Sequence, residues 1–336
     1  MSNKVPKISV CMPNYNYGHF IGQSIQSVLD QDFNDFELII VDDCSTDNSE
    51  EVIRSFSDNR IKYHHNNTNI GRLKNINKCL QLSQGEYITI LPSDDLYTPS
   101  SLTKRKEILD SNPSVGFVFS SALIIDEKGE KVRNSSPFGD SWIKKGEEVF
   151  RLLILGNFIG TLTCMVRKSC FDSLGLLDEN IKATGSRDWE MWLRTSLFYD
   201  IAYLHDASGL ERFHAGNANM YYRYSPSGWK NRQAVLEHVF THLPAEKKHL
   251  SVLKKQALDV LAKRTLRTAF GNLMRNQIDF AKENAALAIS LNKELAKNWR
   301  TRVFYFLALF GRWNTIINKI PKFVKRIIRS LLFGGK

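Results

Sequence analysis

Short apolar runs alternate with stretches of helical spacing along the first 125 residues. Runs at 8–12, 36–41, 61–65, 87–91 and 115–125 are almost continuously apolar, and amphipathic stretches lie between them at 21–29, 49–56, 73–82 and 102–109. This interleaving predicts βαβα repetition. Strands that are apolar throughout, rather than at every second position, predict a mostly parallel sheet with helices on both faces: an α/β, Rossmann-like fold. Asp47 followed by Glu50 has the form of a capping box at the start of the second helix, and Asn112-Pro113 ends the fourth.

From 126 to 224 the pattern loosens to a Lys128-Gly129 turn, a short helix at 147–155, a strand at 161–166 and a helix at 189–198. Ser225-Pro226-Ser227-Gly228 is a break, beyond which the spacing is helical throughout, at 235–240, 250–270 and 277–291. The expected organisation is one α/β domain over 1–228 and a helical domain over 229–336. The small-residue spacing at 280–291 suits a packed helical hairpin, but no second copy follows, so a repeat array is not expected.

Charge adds an asymmetry. The chain of 336 residues carries a formal +11, yet residues 1–230 hold 25 basic and 29 acidic side chains while 231–336 hold 21 and 6. Beyond Glu294 there is no acidic residue and there are ten basic ones, and apolar residues from Trp313 to Leu332 recur at three- and four-residue steps opposite them. That predicts a basic amphipathic helix within 297–336 that lies on an anionic membrane surface. Nucleic acid is not an expected partner, because apolar rather than stacking groups dominate the other face. No run is long enough to span a bilayer and the N-terminus has no secretory h-region. The expected location is cytoplasmic, peripherally attached to the inner face of the cell membrane. Five scattered cysteines without a CxxC pair read as reduced and mostly buried.

An open α/β sheet binds ligands beyond the carboxyl ends of its strands. The loops there read Pro13-Asn14-Tyr15-Asn16, Asp42-Asp43-Cys44-Ser45-Thr46-Asp47 and Ser93-Asp94-Asp95. Neither GxGxxG nor GxxxxGK[ST] occurs, which removes the usual dinucleotide and P-loop sites. Adjacent carboxylates at a strand end raise one another's pKa unless a cation offsets them. Asp94 and Asp95 offer the hard oxygen ligands that Mg²⁺ or Mn²⁺ prefers, although a lone Asp-Asp pair also suits a solvated turn.

These segments, with Ser27-Val-Leu-Asp-Gln-Asp-Phe33, Phe36-Glu-Leu-Ile-Ile-Val-Asp-Asp-Cys-Ser-Thr-Asp47 and Gly85-Glu-Tyr-Ile-Thr-Ile-Leu-Pro-Ser-Asp-Asp95, closely resemble the family 2 inverting glycosyltransferases of the GT-A fold. The resemblance covers about residues 6–225. It implies a nucleotide-sugar donor, commonly a UDP-sugar, with Pro13, Asn14, Tyr15 and Asp43 around the nucleoside and Asp94 at the ribose or metal. Asp95 would be a metal ligand, Arg72 and Lys74 the basic residues near the nucleotide, and Mn²⁺ or Mg²⁺ the ion on the diphosphate. Pro92 stands where many relatives carry the first Asp of an Asp-x-Asp signature.

Gly185-Ser-Arg-Asp-Trp-Glu-Met-Trp-Leu-Arg194 resembles the family's Glu-Asp motif, with Asp188 at the position of the catalytic base and Arg187 in place of the usual Glu. Arg212-Phe-His214 resembles its Arg-x-His segment, which implies that His214 reaches the metal or diphosphate. Trp189 and Trp192 read as core packing. The implied function is inverting transfer of a sugar to a glycan or lipid-linked acceptor in cell-surface polysaccharide biosynthesis. Two other readings remain: a sugar-1-phosphate nucleotidylyltransferase, which would want a Gly- and Arg-rich loop after the first strand, and a catalytically silent sugar-nucleotide or membrane-binding scaffold.

Overall fold

The computed structural model describes residues 5–297, apart from 182, 184, 215, 217–221 and 223, together with Thr301. The basic amphipathic segment expected within 297–336 lies almost wholly outside the described residues. The chain forms two compact units, the first built from residues up to 153, 157–180 and 187–215, the second from 154–156, 181–186 and the chain from 216 onward.

The first unit is organised on a ten-stranded sheet. Its central path runs β3 (Ile61–His65), β2 (Phe36–Asp42), β1 (Ile8–Asn14), β4 (Tyr87–Ile90), β9 (Met165–Arg167), β6 (Val115–Ile125), β10 (Asp200–Arg212) and β5 (Leu96–Tyr97); β7 (Lys131–Ser135) pairs with β6, and β8 (Trp142–Lys144) with β10. Strands β3, β2, β1 and β4 are mutually parallel. All seven residues of β2 are buried, as a strand covered on both faces requires. Helices α1 (Gly18–Leu29), α2 (Ser49–Arg54), α3 (Arg72–Leu82) and α4 (Ser101–Ser111) make the crossovers. α1 contributes Ile21, Ile25 and Val28 to a core shared with Val10, Leu38 and Ile40.

Glu37 is a charged side chain buried within β2. Its Oε1 accepts from Ser9 Oγ at 2.5 Å and from Gln84 N–H at 2.8 Å, while Lys62 Nζ donates to Oε2 at 2.6 Å. The ion pair and two hydrogen bonds offset desolvation that would otherwise be prohibitive.

The outer half of the sheet departs from the expected pattern. β9 runs antiparallel between β4 and β6, and only β10 returns parallel to β6. The expected strand at 161–166 is a 3₁₀ turn at Thr161–Thr163 followed by strand from Met165, because the Thr163 hydroxyl bonds back to the Gly160 carbonyl at 2.8 Å and curls the chain. β10 has no clear counterpart in the periodicity. Its pairing shifts register between Leu204 and Ala207 and again before Gly209, and bulges of this kind erase the two-residue repeat.

Asp47 is not half of a capping box. Its Oδ1 accepts the Ser49 N–H at 3.0 Å and its Oδ2 the Gly18 N–H at 2.8 Å, so it serves the first turns of both α2 and α1, while Glu50 pairs with Arg54 at 2.8 Å. A Cβ at Gly18 would collide with the Asn48 side chain, so this approach of two helix starts requires glycine. Helices α5 (Gly146–Leu153), α6 (Lys168–Leu174) and α7 (Arg187–Ser196) complete the unit. All five cysteines are free thiols and four are buried, as expected.

The second unit is helical: α8 (Pro226–Thr241), a 3₁₀ segment Ala245–Leu253, α9 (Lys254–Met274) and α10 (Ile278–Leu291). Ala281 and Ala285 pack on Ala269, Phe270 and Leu273, so small residues let α9 and α10 close into the hairpin that their spacing predicts. The amides of Asn272 and Asn284 both donate to the Tyr224 carbonyl, at 2.8 and 3.1 Å. Among the described residues, no helix is long and apolar enough to cross a membrane.

Candidate active site

Parallel register brings the carboxyl ends of β1 and β2 side by side, with Asn14 opposite Asp42. Asn14, 1 % exposed, donates from Nδ2 to Asp42 Oδ2 at 2.6 Å and to Ser45 Oγ at 3.3 Å. Asn16, at φ +58°, donates its N–H to Ser45 Oγ at 2.8 Å and accepts the Thr46 N–H at 2.8 Å. The two loops are thereby laced together, and what they leave open is the half-buried Pro13 and the exposed Tyr15, 45 % accessible. Asn14 shapes this surface from beneath.

Asp43 is buried, and both its oxygens are engaged by the chain. Oδ1 accepts from Asn66 Nδ2 and Ile70 N–H, each at 2.8 Å, and Oδ2 from Gly71 N–H at 2.9 Å. The carboxylate folds the 66–71 turn over the end of β2, and Gly71, at φ +86°, ends that turn at the first residue of α3, Arg72. Arg72 is exposed, and its charge acts on two groups of the site, Tyr17 and Asp188. Lys74, two residues on, is exposed and takes no part in these interactions. The structure thus brings one of the two expected basic residues to the site.

Beyond β4, Pro92 to Asp95 closes a tight turn with Asp95 N–H on the Pro92 carbonyl at 3.1 Å. Asp94 and Asp95 are 8 % and 6 % exposed. Asp94 Oδ2 lies 3.0 Å from His214 Nε2, and Asp95 Oδ1 accepts the Arg212 N–H at 2.8 Å. Burial, and then the neighbouring Asp94 charge, push the Asp95 carboxyl well above the ordinary aspartate range. Tyr17 is pushed up by the same two causes, burial first and Asp94 second. The His214 ring packs edge-on against Tyr17, centroids 5.7 Å apart, and lies 5.1 Å from Phe20.

A divalent cation would relieve the raised Asp95 carboxyl beside Asp94, and the two carboxylates are hard oxygen donors of the kind that Mn²⁺ or Mg²⁺ takes. Asp94, Asp95 and His214 are the residues that would hold it. They are not a ready-made cage: among the described residues, no three His, Cys, Asp or Glu side chains form a metal-holding group. Phosphate oxygens of a ligand would have to complete the shell, which is the usual mode for Mg²⁺.

Asp188 stands in the first turn of α7, as its motif predicts. Asn157 Nδ2 and Thr161 Oγ1 donate to its Oδ2 at 3.3 and 3.4 Å. Burial pushes its carboxyl above the ordinary aspartate range, opposed by the Trp189 backbone N–H, the Arg72 charge and those two side chains. Trp189 and Trp192 are core, with Trp189 Nε1 donating to the Leu153 carbonyl at 3.0 Å and the Trp192 ring tilted against Phe117, centroids 5.0 Å apart.

Arg212, 1 % exposed, stands in the sequence only as a neighbour of His214, yet it organises the site. Its Nε donates to the Asp94 carbonyl at 2.9 Å, Nη1 to the Glu127 carbonyl at 2.9 Å and Nη2 to Gln23 Oε1 at 2.7 Å. Tyr17, Gln23, Asn157 and Thr161 were not singled out either. Tyr17 carries a signal, standing two residues beyond Tyr15; the other three carry none.

A parallel four-strand half with carboxylates at its strand ends, extended by a mixed outer half, is the architecture of a GT-A fold. Residues 9–175 match the family model described as Glycosyl transferase family 2. These residues therefore carry a glycosyltransferase family 2 domain. Its curated relatives include the putative teichuronic acid biosynthesis glycosyltransferase TuaG of Bacillus subtilis (strain 168), 32 % identical over 49 % of this chain and 64 % of that protein. The putative colanic acid biosynthesis glycosyl transferase WcaA of Escherichia coli (strain K12) is 29 % identical over 58 % and 67 %. The chain thus spans about two thirds of the length of these relatives, and less than that of TuaG.

Among solved structures, S. aureus TarS 1–349 superposes with a TM-score of 0.60 at 17 % identity, covering 93 % of this chain and 90 % of that one. Mannosyltransferase PcManGT from Pyrobaculum calidifontis, in complex with GDP-Man and Mn²⁺, superposes at 0.53 and 15 % identity, covering 94 % and 88 %. These likenesses establish the shared fold.

Proposed function

We propose that the protein is an inverting glycosyltransferase that moves a sugar from a nucleoside-diphosphate sugar, a UDP-sugar in the first instance, to a hydroxyl of a glycan or lipid-linked acceptor in cell-surface polysaccharide assembly. The observation that carries this reading is Asp188: a partly buried carboxyl, raised by burial and held by Asn157 and Thr161, in the same unit as the strand-end loops of Asn14, Asp43 and Asp94–Asp95. The superposition on TarS, which has also been solved in complex with UDP-GlcNAc, supports a UDP-sugar. The relatives' part in teichuronic and colanic acid biosynthesis supports a polysaccharide product.

Pro13 and Tyr15 offer the face on which a nucleobase rests, over loops held rigid by Asn14, Asp42 and Ser45. Arg72 supplies positive charge beside the diphosphate. Asp94, Asp95 and His214 would hold Mn²⁺ or Mg²⁺, which would supply charge neutralisation for the departing diphosphate. Asp188 accepts the proton of the acceptor hydroxyl as its oxygen bonds to the anomeric carbon, while the bond from that carbon to the diphosphate oxygen breaks on the opposite face. One displacement inverts the anomeric configuration. A carboxyl raised by burial is a stronger base than a solvated one, and its partners are donors, which leaves its oxygens as acceptors for that proton.

Donor hydrolysis and transfer with a panel of nucleotide sugars and Mn²⁺ test the reading. Turnover that collapses in Asp188→Ala while UDP still binds supports it; no binding or turnover with any donor refutes it. UDP binding without turnover would make the protein a silent scaffold. The expected membrane attachment and cytoplasmic location rest on the segment 297–336 in sequence alone.

A further inference from the structure

The helical unit holds a concentration of positive charge ahead of the tail. α9 carries Lys254, Lys255, Lys263, Arg264 and Arg267 against a single acid, Asp259, whose carboxylate accepts the Asn292 amide at 2.9 Å. Lys263, Arg264 and Arg267 are exposed, and three- and four-residue spacing sets them on the face opposite the buried Ala262, Thr265 and Ala269. None of the three is ion-paired with an acid among the described residues.

Arg264 has a seat. Gly156, in the same unit, lies directly against its guanidinium: a Cβ there would collide with Nη1 and stand 3.0 Å from Cζ. Gly156 sits at φ +148°, where side chains are strained, so its conformation and its lack of a side chain both accommodate the cation. Burial of the guanidinium, followed by the Arg267 charge, holds Arg264 below the ordinary arginine value. Two like charges kept together without a counter-charge raise each other's energy, and an anion between them reverses the sign of that interaction. Guanidinium forks match the oxygens of a phosphate bidentately, as they do those of a carboxylate.

We propose that Arg264, seated on Gly156, and Arg267, with Lys263 at the rim, bind a phosphate or diphosphate group of the kind that a lipid-linked acceptor carries. The lipid source rests on the function proposed above; the phosphate chemistry rests on the site alone. Membrane attachment then has a second contact besides the tail, and this one recognises a headgroup by its shape.

The full-length protein is first saturated with UDP, which occupies the donor site, and inorganic pyrophosphate is then titrated calorimetrically. The expected result is binding that weakens tenfold or more in R264Q/R267Q, and also in Gly156→Ala, which keeps both cations but obstructs the seat. Both arginines are exposed, so the double variant is expected to fold, and unchanged UDP affinity verifies this. Pyrophosphate affinity equal in wild type and R264Q/R267Q, or no pyrophosphate binding when UDP binds normally, overturns the proposal. Failure of UDP itself to bind would instead overturn the functional reading. Sedimentation with phosphatidylcholine vesicles containing phosphatidylglycerol separates the sources: if vesicle binding falls together with pyrophosphate affinity the phosphate is lipid-borne, and if pyrophosphate affinity falls alone it is free.

Discussion

Asp43 offers the sharpest test of how this site is built, because its buried carboxylate accepts three hydrogen bonds from one turn. Asp43→Ala removes all three. Hydrogen bonds to a charged group contribute about 1.5–3 kcal/mol each when their loss strands the donor. Two discounts apply here. Ile70 is 36 % exposed, so water can satisfy its N–H, and the Asn66 amide keeps a second acceptor in Asn75 Oδ1 at 3.0 Å. Three bonds at the low end sum to about 4.5 kcal/mol, and these discounts, with the second acceptor that the Gly71 N–H keeps in Asn69 Oδ1 at 3.0 Å, bring the alanine variant to about 3–4 kcal/mol. Asp43→Asn retains the acceptor for Asn66 and Ile70 but turns an NH₂ group toward the Gly71 N–H, two donors facing each other, at about 2 kcal/mol. Since 1 kcal/mol moves the melting point of a domain of this size by about 2–4 °C, the alanine variant should melt about 6–16 °C lower and the asparagine variant about 4–8 °C lower. Thermal unfolding followed by circular dichroism, with and without UDP, reads both values. UDP affinity should fall as well, because the loosened turn leads into Arg72. An asparagine variant that melts with the wild type would show that the carboxylate charge does not organise the turn, and the account of Arg72's placement would fail with it.

Asp188→Asn should lower kcat about 10²–10⁴-fold with little change in donor KM, as expected for loss of a general base, and equal kcat would refute the role. In the wild type, activity should fall as pH drops through a value above the ordinary aspartate range, since the base must be ionised. Folding raises this pKa, so the contribution of Asp188 to stability is present below the ordinary aspartate value and lost as pH rises through the folded one. The asparagine variant should therefore melt higher than the wild type at neutral pH, an advantage that disappears in acid. Arg212→Lys cannot span the Asp94 carbonyl, the Glu127 carbonyl and Gln23 together, and should cost about 2–4 kcal/mol in unfolding free energy along with a loss of Mn²⁺ or UDP affinity; unchanged binding would reduce Arg212 to packing. Chelation should abolish donor turnover and added Mn²⁺ restore it, whereas full activity in excess chelator would remove the ion from the mechanism. Deleting residues 313–336 should weaken binding to phosphatidylglycerol vesicles while donor hydrolysis persists, and equal sedimentation of the truncated protein would refute the membrane role of the tail.

The central sheet was readable residue by residue where the rules are local. Strand 115–125 begins and ends where its apolar run does, because it is a buried run between polar turns, and 61–65 is matched as well although it is the half-exposed end of the strand order. β10 was not readable, since three register shifts break its periodicity and it is held in place by β6 rather than by its own pattern. The candidate site divides in the same way. Motif spacing placed Asp94, Asp95 and Asp188 at a strand end and a helix start. It also nominated Arg72 and Lys74, both exposed on the first turn of α3, and of the two it is the Arg72 charge that acts on Tyr17 and Asp188.

By itself, the sequence determined the parallel half-sheet, the loops that end its strands, the helical hairpin and the two-part charge distribution, all consequences of residue order over a dozen positions or fewer. Only the tertiary structure decided that Asp43 is engaged by its own turn, that Arg212 reaches back 118 residues to the Asp94 carbonyl, and that Asn157 meets Asp188 from 31 residues away. Such contacts depend on where the strands are set in the sheet. Hydrophobic periodicity specifies which face a residue takes, and only the assembled packing specifies what that face meets.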